Sequence, residues 1–149
     1  MQSDDPVVRP AEESDFAQWL PLWQGYQTFY RTRIPEEVTR TTWQRFFDPA
    51  EPVHCLVAAR GSHLVGLAHY LFHRSTWLAG RVCYLNDLFV DPSGRRSGIA
   101  RKLLDAVYEA ADRAGAPKVY WLTHESNAAA RLLYDQVARN GGFIQYERR

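Results

Sequence analysis

A chain of 149 residues suffices for one domain with a substantial core, and its 46% apolar and 23% charged content is that of an ordinary soluble globule. Its net charge of +1 gives no reason to expect nucleic acid or an anionic membrane as partner, and no run approaches the roughly 18 apolar residues of a membrane span. The 13% aromatic fraction exceeds what a minimal core needs, so some rings are expected to line a binding surface.

The opening MQSDDPVVRP has neither a basic region nor an apolar run, so no signal peptide is expected and the cytoplasm is the expected compartment. Val7-Val8 reads as a short first strand. Ser14-Asp15 offers an N-cap for a helix through Phe16, Trp19, Leu20 and Trp23 toward Tyr26 and Phe29, with a kink or break expected at Pro21. Pro35-Glu36-Glu37 starts a second helix, carried by Trp43, Phe46 and Phe47. Val53 to Arg60 and Leu64 to Phe72 flank Gly61-Ser62, a hairpin signal, and Val82 to Val90 makes a longer strand. From Gly98 the period becomes helical: Ile99, Leu103, Val107 and Ala111 recur every four residues until Gly115 and Pro117 stop them. Val119 to Leu122 reads as a strand, Ser126 as the cap of a final helix through Leu132, Leu133 and Val137, and Phe143 to Tyr146 as a last strand.

The strand-helix-strand crossover from residues 82 to 122 implies a locally parallel pair beside an antiparallel hairpin. The expected fold is therefore one α/β (α+β) domain, residues 1–149, with a mixed sheet and helices packed on its faces. Cys55 and Cys83 lie in apolar runs and read as buried reduced thiols. Cys pairs at zinc spacing are absent, and no metal site is expected.

Two features break the apolar pattern. In YLNDLFV, residues 84 to 90, Asn86 and Asp87 interrupt a strand bound for the core. A buried polar group without a partner costs about 1–3 kcal/mol. Because neighbouring strand residues face opposite sides, the two can line one pocket only if a bulge re-aims one of them. The second feature is DPSGRRSGIARKLL, residues 91 to 104, which leads from the strand through a glycine-containing loop into a helix. That geometry gathers backbone N–H groups and the positive helix end at one spot, which suits a pyrophosphate. Gly98 and Ala100 keep side chains small there, and Arg95, Arg96 and Arg101 can add charge at the rim. An ordinary turn with solvated arginines is the simpler reading of the loop alone. The Walker lysine-serine pair and GxGxxG are both missing. Asn127 and Tyr134, seven residues apart on the final helix, are about two turns apart and project from nearly the same face.

Together these residues resemble the GNAT superfamily of acyl-CoA-dependent N-acyltransferases. Its loop motif matches Arg95-Arg96-Ser97-Gly98-Ile99-Ala100, and its later motif matches Asn127, Ala130 and Leu133-Tyr134, with Gly142-Phe143 as the terminal Gly-Phe. CYLNDLFVDPSGRRSGIARKLL and YWLTHESNAAARLLYDQVA look most like the branch named for histone and polyamine acetylation. The resemblance implies a GNAT-like, mostly antiparallel twisted sheet with a splayed parallel strand pair. It implies acetyl-CoA as cosubstrate and a primary amine, of polyamine, amino-acid or protein-lysine type, as acceptor. Main-chain groups of Leu88, Phe89 and Val90 would pair with the pantetheine arm, and amides from Arg96 to Ala100, with Arg101 at the rim, would hold the pyrophosphate. Asn127 would bond the pantetheine, and Tyr134 would stand beside the CoA sulfur as general acid.

Many relatives carry Glu where this chain has Asn86, and an amide cannot accept the amine's proton. The base stays open between Asp87, Glu125 and His124, directly or through water, while Tyr26 and Tyr30 are candidates for an acceptor wall. A catalytically silent acyl-CoA-binding or regulatory module is the rival reading; Tyr134 argues against it and Asn86 for it. Relatives close with two strands after the Tyr helix, and only Phe143 to Glu147 remains here. A bare sheet edge invites pairing, so a homodimer is expected.

Overall fold

The computed structural model describes residues 5–95 and 97–148. Five strands form one sheet in sequential order: β1 (Val7–Pro10), β2 (Val53–Arg60), β3 (His63–His73), β4 (Val82–Val90) and β5 (Val119–Tyr120). β1 to β4 pair antiparallel, and β4 pairs parallel with β5. The helices are α1 (Phe16–Phe29), α2 (Glu36–Arg45), α3 (Ile99–Arg113) and α4 (Ala128–Val137). The mixed α/β fold with a parallel pair is the architecture the sequence implies.

The alternation of apolar side chains gives the sheet two dry faces. On one, Leu56, Ala68, Cys83 and Leu85 meet Ile99, Leu103, Leu104 and Val107 of α3, and Leu133, Tyr134 and Val137 of α4 pack against that cluster. Burying a leucine contributes about 2 kcal/mol, so the α3 stripe alone anchors the helix. The Schellman arrangement stops it: Gly115 takes φ +69°, and the Ala116 and Gly115 N–H groups donate to the carbonyls of Ala111 and Asp112. On the opposite face Trp19, Leu22 and Trp23 of α1 and Trp43 of α2 cover Val57, Leu67 and Phe89.

Five expectations need correction. The break allowed for at Pro21 does not occur: α1 runs through it. Pro21 is exposed, and the burial of Trp19, Leu22 and Trp23 on the other face outweighs its missing helical bond. Asp15 stands at the N-cap of α1 but does not cap it; its carboxylate accepts from both Arg9 guanidinium nitrogens, at 2.7 and 3.0 Å, and from the Glu12 amide at 2.8 Å. α4 begins after Asn127 rather than after Ser126, with the Asn127 carbonyl accepting from the Arg131 N–H. The last strand does not form: residues 138–148 have no regular structure, and Phe143 and Ile144 are 84% and 76% exposed. β5 also stops at Tyr120 instead of Leu122, leaving too short a ladder to template an outer strand. Among the described residues no helix is long and apolar enough to cross a membrane.

Candidate active site

The parallel pair opens as it leaves the core. β4 and β5 are joined at Cys83–Val119 and Tyr84–Tyr120, and β4 then continues to Val90 paired with β3 on its other side. At the point of divergence the register against β3 slips: His69 faces Asp87, while Tyr70 faces Leu85. Asn86 is the extra residue of this bulge. It turns the strand by one step, so that Cys83 and Leu85 lie under α3 whereas Asp87 and Phe89 face α1 and α2. The bulge that the paired polar residues required is present, and Asn86 and Asp87 line the same cavity.

That cavity has a volume of about 420 Å³. Trp23 and Tyr26 of α1, Thr42 and Arg45 of α2, Phe46 just past its end, and His69 of β3 share its lining with the polar pair. Asp87 sits on the floor with its side chain only 10% exposed. Its Oδ2 lies 2.9 Å from His69 Nδ1, and its Oδ1 accepts from Asn86 Nδ2 at 3.1 Å. The Tyr26 phenol lines the same cavity, close enough to feel the charge of that carboxylate. Burial first, then the charge of Asp87, holds the Tyr26 phenol well above its usual range.

From Tyr26 the aromatic wall continues outward. Tyr30 packs tilted against Tyr26 at 4.7 Å between centroids, and the exposed His124 ring lies 6.3 Å from Tyr30. Burial and Asp87 raise the Tyr30 phenol, and a hydrogen bond with Thr123 works the other way. The loop after α1 is held in place by Gln27, which is buried and accepts from the Ile34 N–H at 2.7 Å. Tyr134 comes from the opposite side of the splay, edge-on to Trp121 at 5.3 Å. Burial, with Tyr30 contributing, pushes its phenol up to about 12, so it keeps its proton at neutral pH. Tyr26, Asn86 and Asp87 thus line one cavity, Tyr30 and His124 extend outward from Tyr26, and Tyr134 lies close enough to Tyr30 to influence it. Glu125 is exposed on the following turn, where its carbonyl accepts from Arg131 at 2.8 Å.

Beyond Val90 the chain enters a short 3-10 turn at Pro92–Gly94 and reaches α3 through Gly98. Gly98 takes φ +76°, and nothing lies within 4 Å of where a side chain would begin. Gly98 is thus left without a side-chain contact at the start of α3, where the helix leaves its first N–H groups without helical partners and an anion can bind. The Ser97 hydroxyl donates to the Gly94 carbonyl at 2.6 Å, bracing the loop. Arg95 folds back, its Nε donating to the Val90 carbonyl at 3.2 Å and its guanidinium 5.9 Å from the Phe89 ring centre. Arg101 pairs with Asp105 along the helix at 3.3 Å. Arg96 lies outside the described residues. Asn127 donates to Thr123 Oγ1 at 3.2 Å, tying the start of α4 to the segment that follows β5.

Sequence reasoning passed over His69, Trp19 and Arg45. Each sat inside an ordinary strand or helix pattern; only the register of β3 against β4 brings His69 to Asp87.

Comparisons with known proteins identify the family. The family model described as Acetyltransferase (GNAT) family matches residues 17–138. The chain is 40% identical over 150 residues to the D-amino-acid N-acetyltransferase HPA3 of Saccharomyces cerevisiae, covering 99% of this chain and 93% of the relative. It is 32% identical over 139 residues to the thialysine N-epsilon-acetyltransferase of Mus musculus, covering 85% and 79%. Among solved structures, AAC(6')-Iy in complex with a CoA-containing bisubstrate analog superposes with a TM-score of 0.85 at 16% identity, covering 97% of this chain and 98% of that one. The chain belongs to the GNAT family and is an N-acetyltransferase.

Proposed function

We propose that the protein transfers an acetyl group from acetyl-CoA to the primary amine of a small amino-acid-type acceptor, by direct attack with both substrates bound. The observation that carries this reading is the buried Asp87 carboxylate, set in an aromatic cavity where β4 parts from β5. Among the described residues lining that cavity Asp87 is the one acid and Arg45 the one arginine. A zwitterion fits with its ammonium toward Asp87 and its carboxylate toward Arg45. The acceptors in the relatives' names, D-amino acids and thialysine, have both groups.

The donor side follows the free edge of β4. Main-chain groups of Leu88, Phe89 and Val90 bind the pantetheine arm as an added strand would, with Asn127 on the far side of the splay. Amides of Arg96, Ser97, Gly98, Ile99 and Ala100 take the pyrophosphate. An amine of pKa about 10.4 is neutral only about once in a few thousand molecules at pH 7, so its proton must leave before attack. Asp87 draws the ammonium in and receives that proton, directly or through water. As the C–N bond forms and the C–S bond breaks, Tyr134 gives its proton to the departing sulfur, and the second proton that the nitrogen sheds passes through water to restore the phenol.

Release of free thiol from acetyl-CoA, measured with a panel of amino acids, their amides and polyamines, tests the reading. Release with amino acids and much less with their amides supports it; equal turnover of amides and free acids removes the role of Arg45. Tyr134→Phe with full turnover at saturating acetyl-CoA would falsify the general-acid assignment. The exposed Phe143, Ile144 and Tyr146 and the two-residue β5 support a homodimer, and light scattering that finds a monomer at high concentration excludes it.

A further inference from the structure

We propose that His69 is a positioning residue for Asp87, and that Trp19 selects the imidazole tautomer that lets it act. The proposal rests on the reading of Asp87 as the group that meets the amine.

His69 is 3% exposed, beneath the floor of the cavity. Three rings enclose it: Trp23 and Phe46, each 4.9 Å away between centroids, and Trp19 at 5.8 Å. Both ring nitrogens are engaged. Trp19 Nε1 lies 3.0 Å from His69 Nε2, and His69 Nδ1 lies 2.9 Å from Asp87 Oδ2. An indole nitrogen can only donate, so Nε2 must present its lone pair. The imidazole proton therefore sits on Nδ1 and is donated to the carboxylate. The order is one-directional: Trp19 donates to His69, and His69 donates to Asp87.

Two consequences follow for the acceptor cavity. Asp87 Oδ2 is held from below by His69 while Oδ1 is held from the bulge by Asn86, so the plane of the carboxylate is fixed. Fixing a reacting group before the substrate arrives is the source of much catalytic advantage, and a misplacement of about 1 Å can cost about 100-fold. In addition, a ring with one proton supports Asp87 without cancelling its charge. An imidazolium could form only by giving up the bond from Trp19. The ammonium thus meets an anion whose partners all donate to it.

The prediction separates orientation from packing. The amide of Asn places an N–H donor near the position of Nδ1, whereas Leu fills the space without one. His69→Leu is expected to lower kcat/KM for the amine on the order of 10- to 100-fold with the KM for acetyl-CoA unchanged, and His69→Asn to recover most of it. Nitrogen-15 NMR of the wild-type imidazole is expected to show the Nδ1–H tautomer, and Trp19→Phe a mixture of the two. An Nε2–H pattern in the wild type overturns the proposal whether or not any variant folds. So does a His69→Leu enzyme of wild-type kcat/KM beside an inactive Asp87→Asn, or a His69→Asn as impaired as His69→Leu. Full activity in Asp87→Asn would instead remove the functional reading of the carboxylate, and this proposal with it.

Discussion

Leu85 and Asp87 stand two residues apart on one strand, yet Leu85 packs beneath α3 and Asp87 opens toward α1 and α2. A regular strand would put both on one face. Asn86 is the residue that breaks the parity, and its own side chain donates to Asp87.

Deleting Asn86 should therefore leave a regular ladder with every apolar residue still on its present face. The expected result is a folded protein within about 1 kcal/mol of wild-type stability in urea, with kcat/KM for the amine reduced about 10-fold or more. A deletion variant that unfolds would show that the bulge serves the fold rather than the site.

The elements with strong period were legible before any coordinates: the Leu103 and Val107 stripe, the Gly61 hairpin and the Gly115 stop all lie where their side chains require. The polar interruption at residues 86 and 87 marked the cavity because burying such groups in a plain strand is costly. His69 was illegible because an inward-facing histidine in an apolar strand looks like any core residue until its cross-strand partner is known. The tail failed for the opposite reason. Phe143 to Tyr146 has strand propensity, but a strand needs a neighbour, and β5 offers only two residues.

Arg9 and Asp15 predict an acid limb of stability. The Arg9 hydrogen bond, opposed by burial, holds the Asp15 carboxyl below the usual range. Its contribution is thus complete above the unfolded value of about 3.9 and is lost as the pH falls through the lower folded value. Arg9→Leu should cost about 2 kcal/mol near neutrality and clearly less at about pH 3, read from urea midpoints at the two pH values. An equal loss at both would show that the pair contributes only packing.

Gly98 is tied to its backbone. Because φ is +76° and the surrounding space is open, Gly98→Ala adds strain without a clash, at about 1 kcal/mol. The new methyl group stands at the first amides of α3, so the KM for acetyl-CoA should rise several-fold while the KM for the amine does not. A change confined to the amine would place the phosphates elsewhere.

The phenol of Tyr134, pushed up to about 12, remains a proton donor across the working range. With acetyl-CoA saturating, kcat should show no falling limb between about pH 7 and about pH 10. A descending limb in wild type that vanishes in Tyr134→Phe would mean that the group ionises earlier than its burial indicates.

Cys55 and Cys83 are buried and free. Burial pushes the Cys83 thiol up to about 11 and raises Cys55 as well. Neither should react with a thiol-specific dye in the native protein at neutral pH, and both should react in denaturant. Rapid native labelling that abolishes activity would reveal an opening of the core that the packing does not predict.

The two walls of the site have separate origins along the chain. The acceptor wall is drawn largely from residues 19 to 53, whereas the phosphate loop, Asn127 and Tyr134 all follow residue 90; β4 is their shared boundary. Such a division makes the molecule a natural subject for grafting. The α1–α2 segment of another family member, joined before the Gly61 hairpin, could exchange the choice of amine while the acetyl donor is handled by unchanged parts. The limit of that freedom is the underside of the transplant, which must still bring an indole N–H to His69.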